Sequence, residues 1–247
     1  MSKWILTSDS HDAGYQLFCF PHAGSGAIKY LKWANFLNER ITVRPVLLPG
    51  REYRVKEPCI ENFDEMIDAL FEGIKDSIVE KRYSMYGHSM GSILAYELAQ
   101  RIEREGMRTP DYLFLSGSPL FTNVMKQDWV GISDDEIAEY LYLSGGTPRH
   151  LIENEVFKEV FFPIFRSDHA VVNSYHFKPD RLKSKTKVHV FAAKDDTVVD
   201  VKYTEKIKDL TENFKISYFT GGHFFNDKHT GEICRLINDD LTSDMLI

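Results

Sequence analysis

Tyr86-Gly87-His88-Ser89-Met90-Gly91 is the stretch whose reading decides the fold. Residues 82–86 before it are β-prone and partly apolar. Behind it, residues 92–102 place Ile93, Leu94, Leu98 and Ile102 along one helical face. Strand, sharp turn and helix around Gly-x-Ser-x-Gly is the context of a nucleophile elbow, in which a strained turn lifts the serine Oγ above a sheet. Side chains two positions either side of that serine would collide in the turn, and glycine avoids the collision. The helix that follows aims its N-terminal N–H groups at the serine, where they favour negative charge. The five-residue pattern alone is weak; its flanks make Ser89 the candidate nucleophile.

Composition sets the frame around this stretch. The chain has 247 residues, 43% of them hydrophobic, which suits one α/β domain over residues 1–247 with a full core. No Gly-, Ser- or Pro-rich linker and no internal repeat divides it. A net charge of -7 argues against a nucleic-acid partner. The three cysteines, Cys19, Cys59 and Cys234, have no metal-ligand spacing, and their odd number argues against a disulfide framework. No apolar run reaches the length of a membrane span, and residues 1–14 have no signal-peptide core. A cytoplasmic protein without a bound metal is the resulting expectation, with a monomer as the default state.

Working outward toward the N-terminus, Tyr15–Phe20 reads as a core strand that runs into Pro21-His22-Ala23-Gly24-Ser25-Gly26. A small-residue loop in this place lets backbone N–H groups approach a ligand, and in hydrolases with an elbow it supplies half of the oxyanion hole. That makes the N–H groups of Ala23 and Met90 the expected oxyanion donors; adjacent His22 has no assigned role. Residues 30–37 read as a helix, and 41–48 as a strand that Pro45 confines to an edge or a bulge. Arg51 and Arg54 are surface residues or hold loops near the site. Residues 63–79 read as an amphipathic helix.

Toward the C-terminus, Glu105-Gly106 is a plausible helix end and Tyr112–Ser116 a strand. Strand–helix alternation then stops. From about 120 to 180 the sequence reads as helices, one opened by the capping box at Ser133-Asp134-Asp135-Glu136 and ending near Gly145-Gly146, another over 153–165. The aromatic residues of this insertion are core packing, or the inner face of a helical lid that receives an acyl chain. Lys187–Ala193 resumes the sheet, 215–219 is its last strand and 230–241 a closing helix. Asp195 and Asp196 follow the first of these strands; Gly221-Gly222-His223 follows the second. Ser…Asp…His is the chain order of α/β-hydrolases. The two aspartates compete for the acid position, and the loop pattern favours Asp196.

With these residues in hand, the chain resembles the type II thioesterases, stand-alone α/β-hydrolases that serve nonribosomal peptide and polyketide synthases. The resemblance covers nearly the whole length. It rests on Phe20-Pro21-His22-Ala23-Gly24, Pro49-Gly50-Arg51-Glu52, Gly87-His88-Ser89-Met90-Gly91 and Gly221-Gly222-His223, and on the lid stretches Gly145-Gly146-Thr147-Pro148 and Pro163-Ile164-Phe165-Arg166-Ser167-Asp168. A generic esterase would not be expected to carry the lid stretches. The chain departs from the family in two places: Ser25 stands at the second glycine of the first loop, with Gly26 following, and Ala193 stands where glycine is common.

The resemblance implies a mostly parallel sheet flanked by helices and a Ser89–His223–Asp196 triad. It implies hydrolysis of acyl thioesters on the phosphopantetheine arm of acyl or peptidyl carrier proteins, with no other cofactor and a preference for short acyl groups. Carrier proteins are usually acidic and so is this chain, so docking calls for a local patch; Arg149, Lys158 and Arg166 around the lid are candidates. A carboxylesterase, or an acyl-transferring or cyclising enzyme, would use the same triad. A catalytically silent binding module would need neither triad nor oxyanion loop.

Overall fold

The computed structural model describes residues 2–6, 14–121, 131–144, 147–177 and 186–245. Six strands form one sheet: β1 (Tyr15–Phe20), β2 (Ile41–Pro45), β3 (Arg82–His88), β4 (Tyr112–Ser116), β5 (Lys187–Ala193) and β6 (Phe214–Phe219). They lie in the order β2-β1-β3-β4-β5-β6, and every neighbouring pair is parallel. A parallel sheet needs cover on both faces, which is why β1 and β4 are mostly apolar, with Gln16 and Ser116 the exceptions, and are buried throughout. β1 divides its residues by parity: Phe18 and Phe20 join one core, Tyr15, Leu17 and Cys19 the other. Pro45 ends β2, which is an edge strand, where its missing N–H breaks no ladder.

The first core lies under α1 (Phe63–Ile74) and α2 (Met90–Arg104). Asn62 caps α1 by accepting from the Glu65 N–H at 3.1 Å. The helix expected over 63–79 stops at Ile74 and continues as a 3₁₀ turn over Lys75–Ile78. α2 differs from the amphipathic expectation too. It is buried on nearly every side, because α1 covers the flank that the sheet does not.

Between β4 and β5 the described residues contain no strand. They form α3 (Asp134–Ser144), α4 (Arg149–Ile152) and α5 (Glu155–Ser174). The capping box is realised, with the Ser133 N–H donating to Glu136 at 2.7 Å and the Glu136 N–H to Ser133 Oγ at 3.3 Å. Gly145 and Gly146 lie outside the described residues. α5 continues nine residues beyond the expected end at Phe165, carrying Pro163 within it. Ile137, Leu141, Ile152, Phe162 and Phe165 give these helices a small core of their own.

α6 (Val201–Glu205), α7 (Phe225–Lys228) and α8 (Thr230–Met245) complete the chain. α8 and the segment Ile28–Asn35 cover the second face. That segment, expected as a helix over 30–37, is 3₁₀: its buried residues Tyr30 and Trp33 stand three apart, the period of a 3₁₀ helix. The chain leaves β1 toward β2 and leaves β3 in the opposite direction. The loops after β1 and β3 therefore diverge and open a crevice at the carboxyl ends of the strands.

Candidate active site

Ser89 sits in that crevice, between the end of β3 and the first residue of α2, with φ 53° and ψ -119°. A non-glycine residue in this region is strained and persists only where its surroundings hold it. Here the Ser89 N–H donates to the Ser116 carbonyl of β4 at 2.9 Å, and Ser92 Oγ donates to the Ser89 carbonyl at 2.6 Å. A Cβ on Gly87 would run into the Gly91 carbonyl, and one on Gly91 into the Phe20 carbonyl. The two glycines flanking the serine are thus required by close backbone contacts within the turn and against β1.

His223 follows β6 and turns its ring back over the elbow. Its Nε2 lies 2.9 Å from Ser89 Oγ and its Nδ1 2.8 Å from Asp196 Oδ2. Asp196 Oδ1 accepts the N–H groups of Val198 and Val199 at 2.8 and 2.9 Å, which fixes the carboxylate. Asp195 points elsewhere: both its oxygens accept the Gly221 N–H, at 3.0 and 2.9 Å. The adjacent aspartates therefore divide the work, one holding the imidazole and the other holding the loop that carries it. An imidazole bridging a hydroxyl and a fixed carboxylate can take the hydroxyl proton and be stabilised as the cation.

The loop after β1 is held from three directions. Arg51 and Asp168 of α5 form a buried bidentate pair, with both N···O distances 2.6 Å. Asp168 Oδ2 also accepts the Gly24 N–H at 2.7 Å, and Arg51 Nη1 donates to the Ser25 carbonyl at 3.1 Å. Glu52 accepts the N–H groups of Ala27 and Ile28 at 2.8 and 2.9 Å. A Cβ on Gly26 would collide with the Glu52 carboxylate. This accounts for the departure at Ser25: Ser25 has no positive φ, and the glycine that the loop needs stands one residue later. Ala193 likewise has no positive φ, so a side chain is tolerated there.

His22 also takes part. Its Nδ1–H donates to the Ala23 carbonyl at 3.0 Å, and Lys29 Nζ donates to its Nε2 at 3.2 Å. Lys29 in turn pairs with Asp227 at 2.9 Å. His22 and His88 are both held well below the ordinary histidine pKa, chiefly by burial. His88 is fully buried, with Nδ1 2.9 Å from Ser116 Oγ.

Ser89, His223 and Ala23 open into a cavity of about 490 Å³. Tyr140, Leu141, Leu151, Phe157, Phe161 and Phe165 of the lid helices line it. Of the cations expected around the lid, Arg149 pairs with Glu153 at 2.7 Å, Lys158 with Glu155 at 2.7 Å and Arg166 with Asp134 at 2.8 Å. Each is balanced by a nearby carboxylate, which weakens the case for a docking patch made of these three.

Residues 15–241 match the Thioesterase domain family. The chain belongs to the thioesterase family. It is 32% identical over 222 residues to the human medium-chain S-acyl fatty acid synthase thioesterase, covering 87% of this chain and 82% of that one. To the gramicidin S biosynthesis protein GrsT of Aneurinibacillus migulanus it is 29% identical over 229 residues, covering 91% and 88%. The type II thioesterase BorB from the borrelidin biosynthetic cluster superposes with a TM-score of 0.83 at 29% identity, covering 96% of each chain. A hydrolase acting on thioesters, with the α/β-hydrolase fold, is therefore what the comparisons support.

In this thioesterase the structure brings together Ser89, His223, Asp196 and Ala23, with Met90 opening α2. From sequence alone, Arg51 and His22 have no decided role and Asp168 has none. The pairing of Arg51 with Asp168 spans 117 residues, which no local pattern reveals. Its only signal is that both residues fall inside stretches shared with the type II thioesterases. Among the described residues no helix is long and apolar enough to cross a membrane.

Proposed function

We propose that this thioesterase releases acyl groups from the phosphopantetheine arm of acyl or peptidyl carrier proteins, clearing stalled or mis-primed groups from nonribosomal peptide or polyketide synthases. The observation that carries the reading is the Ser89–His223–Asp196 relay opening into a cavity lined by lid aromatics. The gramicidin S and borrelidin relatives support carrier-borne substrates.

Ser89 Oγ attacks the thioester carbonyl while its proton passes to His223 Nε2, and Asp196 orients the ring and stabilises its cation. The N–H groups of Ala23 and Met90 receive the developing oxyanion; one such donor is worth about 2.7–4 kcal/mol of transition-state stabilisation. The carbon–sulfur bond breaks, and the thiol leaves with the proton from His223. Water, deprotonated by His223, then attacks the acyl-serine, releasing the acid and restoring Ser89. No step calls for a metal or an organic cofactor; the phosphopantetheine arrives with the substrate.

The test is hydrolysis of acetyl-loaded carrier protein, followed by intact-protein mass, with wild type and Ser89→Ala side by side. Loss of the acetyl group with wild type alone is the expected result. Retention with both, while a simple ester is still cleaved, would move the reading to a carboxylesterase.

A further inference from the structure

The cavity has two chemically different linings, and an acyl group accounts for only one. The lid contributes the apolar residues. The other lining comes from the Ile28–Asn35 segment and from the residues that follow His223: Lys29, Lys32, Phe224 and Asp227. In a 3₁₀ helix, residues three apart are eclipsed. Lys29 and Lys32 therefore share one face, while Tyr30 and Trp33 turn to the core.

The two lysines differ in what they already hold. Lys29 is engaged by Asp227 at 2.9 Å and by His22 Nε2 at 3.2 Å. Lys32 is exposed and has no hydrogen bond or ion pair among the described residues. The lid cations Arg149, Lys158 and Arg166 all have carboxylate partners. In a chain of net charge -7, an ammonium in the wall of the reaction cavity that has no carboxylate partner among the described residues invites an anion.

The chemistry indicates which one. His223 delivers its proton to the departing sulfur, so the leaving arm runs beside His223 while the acyl group faces the lid. Phe224 is the next residue after His223 and Asp227 lies four residues on, and the two lysines line the cavity with them. This step rests on the carrier-thioester reading above. We infer that Lys32 is the phosphate subsite of this enzyme: its ammonium takes the phosphate of the substrate's phosphopantetheine, with Lys29 holding the wall beside it. An ammonium–phosphate contact is charge-assisted, and the exposure of Lys32 limits its strength.

The test compares kcat/KM for acetyl-phosphopantetheine and acetyl-pantetheine, which differ only in the phosphate, in wild type, Lys32→Gln and Lys32→Glu. Wild type is expected to favour the phosphorylated thioester by about tenfold at low salt, the equivalent of one such contact. The ratio should fall toward one in Lys32→Gln and below one in Lys32→Glu. The ratio within each variant cancels any loss of folded enzyme. A wild-type ratio near one, or a ratio that survives in Lys32→Glu, overturns the assignment. So does an effect of Lys32→Glu confined to carrier-borne acetyl groups, which would place the lysine against the carrier surface. Both substrates are small thioesters, so inactivity on loaded carriers would refute the proposed function without touching this ratio.

Discussion

Asp195 and Asp196 are neighbours in sequence with different donors. Asp196 contacts His223 Nδ1 at 2.8 Å and is pinned by two backbone N–H groups; Asp195 accepts the Gly221 N–H of the loop that carries the histidine. The backbone bonds to Gly221 and Gly222 hold the Asp195 carboxyl below its usual pKa. Amidation should therefore separate the two positions. Asp196→Asn keeps the shape but removes the charge that stabilises the imidazolium, and offers its amide N–H where an acceptor is required. A fall in kcat of about 10⁴-fold is expected, as for the equivalent change in other triads. Asp195→Asn leaves the imidazole's partner in place and should cost far less. Steady-state turnover of acetyl-pantetheine by the two variants checks this; equal losses would contradict the division of labour.

At the scale of elements, the loop after β1 depends on a helix far away in sequence. α5 supplies Asp168, the turn after β2 supplies Arg51, and both bind the loop's backbone. Removing one partner leaves the other charge buried, at a cost of about 3–5 kcal/mol. Arg51→Met should therefore lower stability by that order. Arg51→Met combined with Asp168→Leu should recover much of it while leaving turnover low, because Gly24 N–H and the Ser25 carbonyl lose their anchors. Urea denaturation alongside kcat measures both; full recovery of turnover in the double variant would make the pair purely structural. This pairing also marks the limit of what the sequence made legible. The elbow, the chain order of the triad and the six strands could be read because each is a local pattern: Gly87 and Gly91 around Ser89, apolar runs bounded by turns, glycines before His223. Contacts between distant segments leave no local trace. The segment 30–37 was legible as helical, but Glu52 accepting the Ala27 and Ile28 N–H groups at its start, from another loop, was not. α5 outran its expected end at Phe165 because Ser167, Asp168 and His169 are buried by tertiary partners, a fate that polar residues do not announce.

For the whole molecule, the burial of neutral imidazoles sets how stability responds to acid. His22 and His88 beside the elbow, and His169 against Phe165 in the lid, are all held below the ordinary histidine value of 6.5 by burial. His169 is lowered to about 4, although the charge of neighbouring Asp168 works in the opposite direction. In the unfolded chain these rings take up protons as the pH falls through 6.5, while in the folded chain they stay neutral. The unfolded state then binds more protons, and stability falls on acidification. The loss begins near pH 6.5 and, for His169, continues until the folded state protonates near 4. Within that window each such histidine contributes about 1.4 kcal/mol per pH unit. Unfolding free energies from urea titrations between pH 7.5 and 5 should therefore decline steeply below 6.5. Carboxylates paired in the folded state add a loss of the same sign, but mainly at lower pH, so the upper part of the window isolates the histidines. His169→Phe keeps an aromatic ring against Phe165 and Tyr140 and removes one titrating group. It should flatten the decline by about one proton per molecule; an unchanged slope would show that the lid histidine is not kept neutral by the fold.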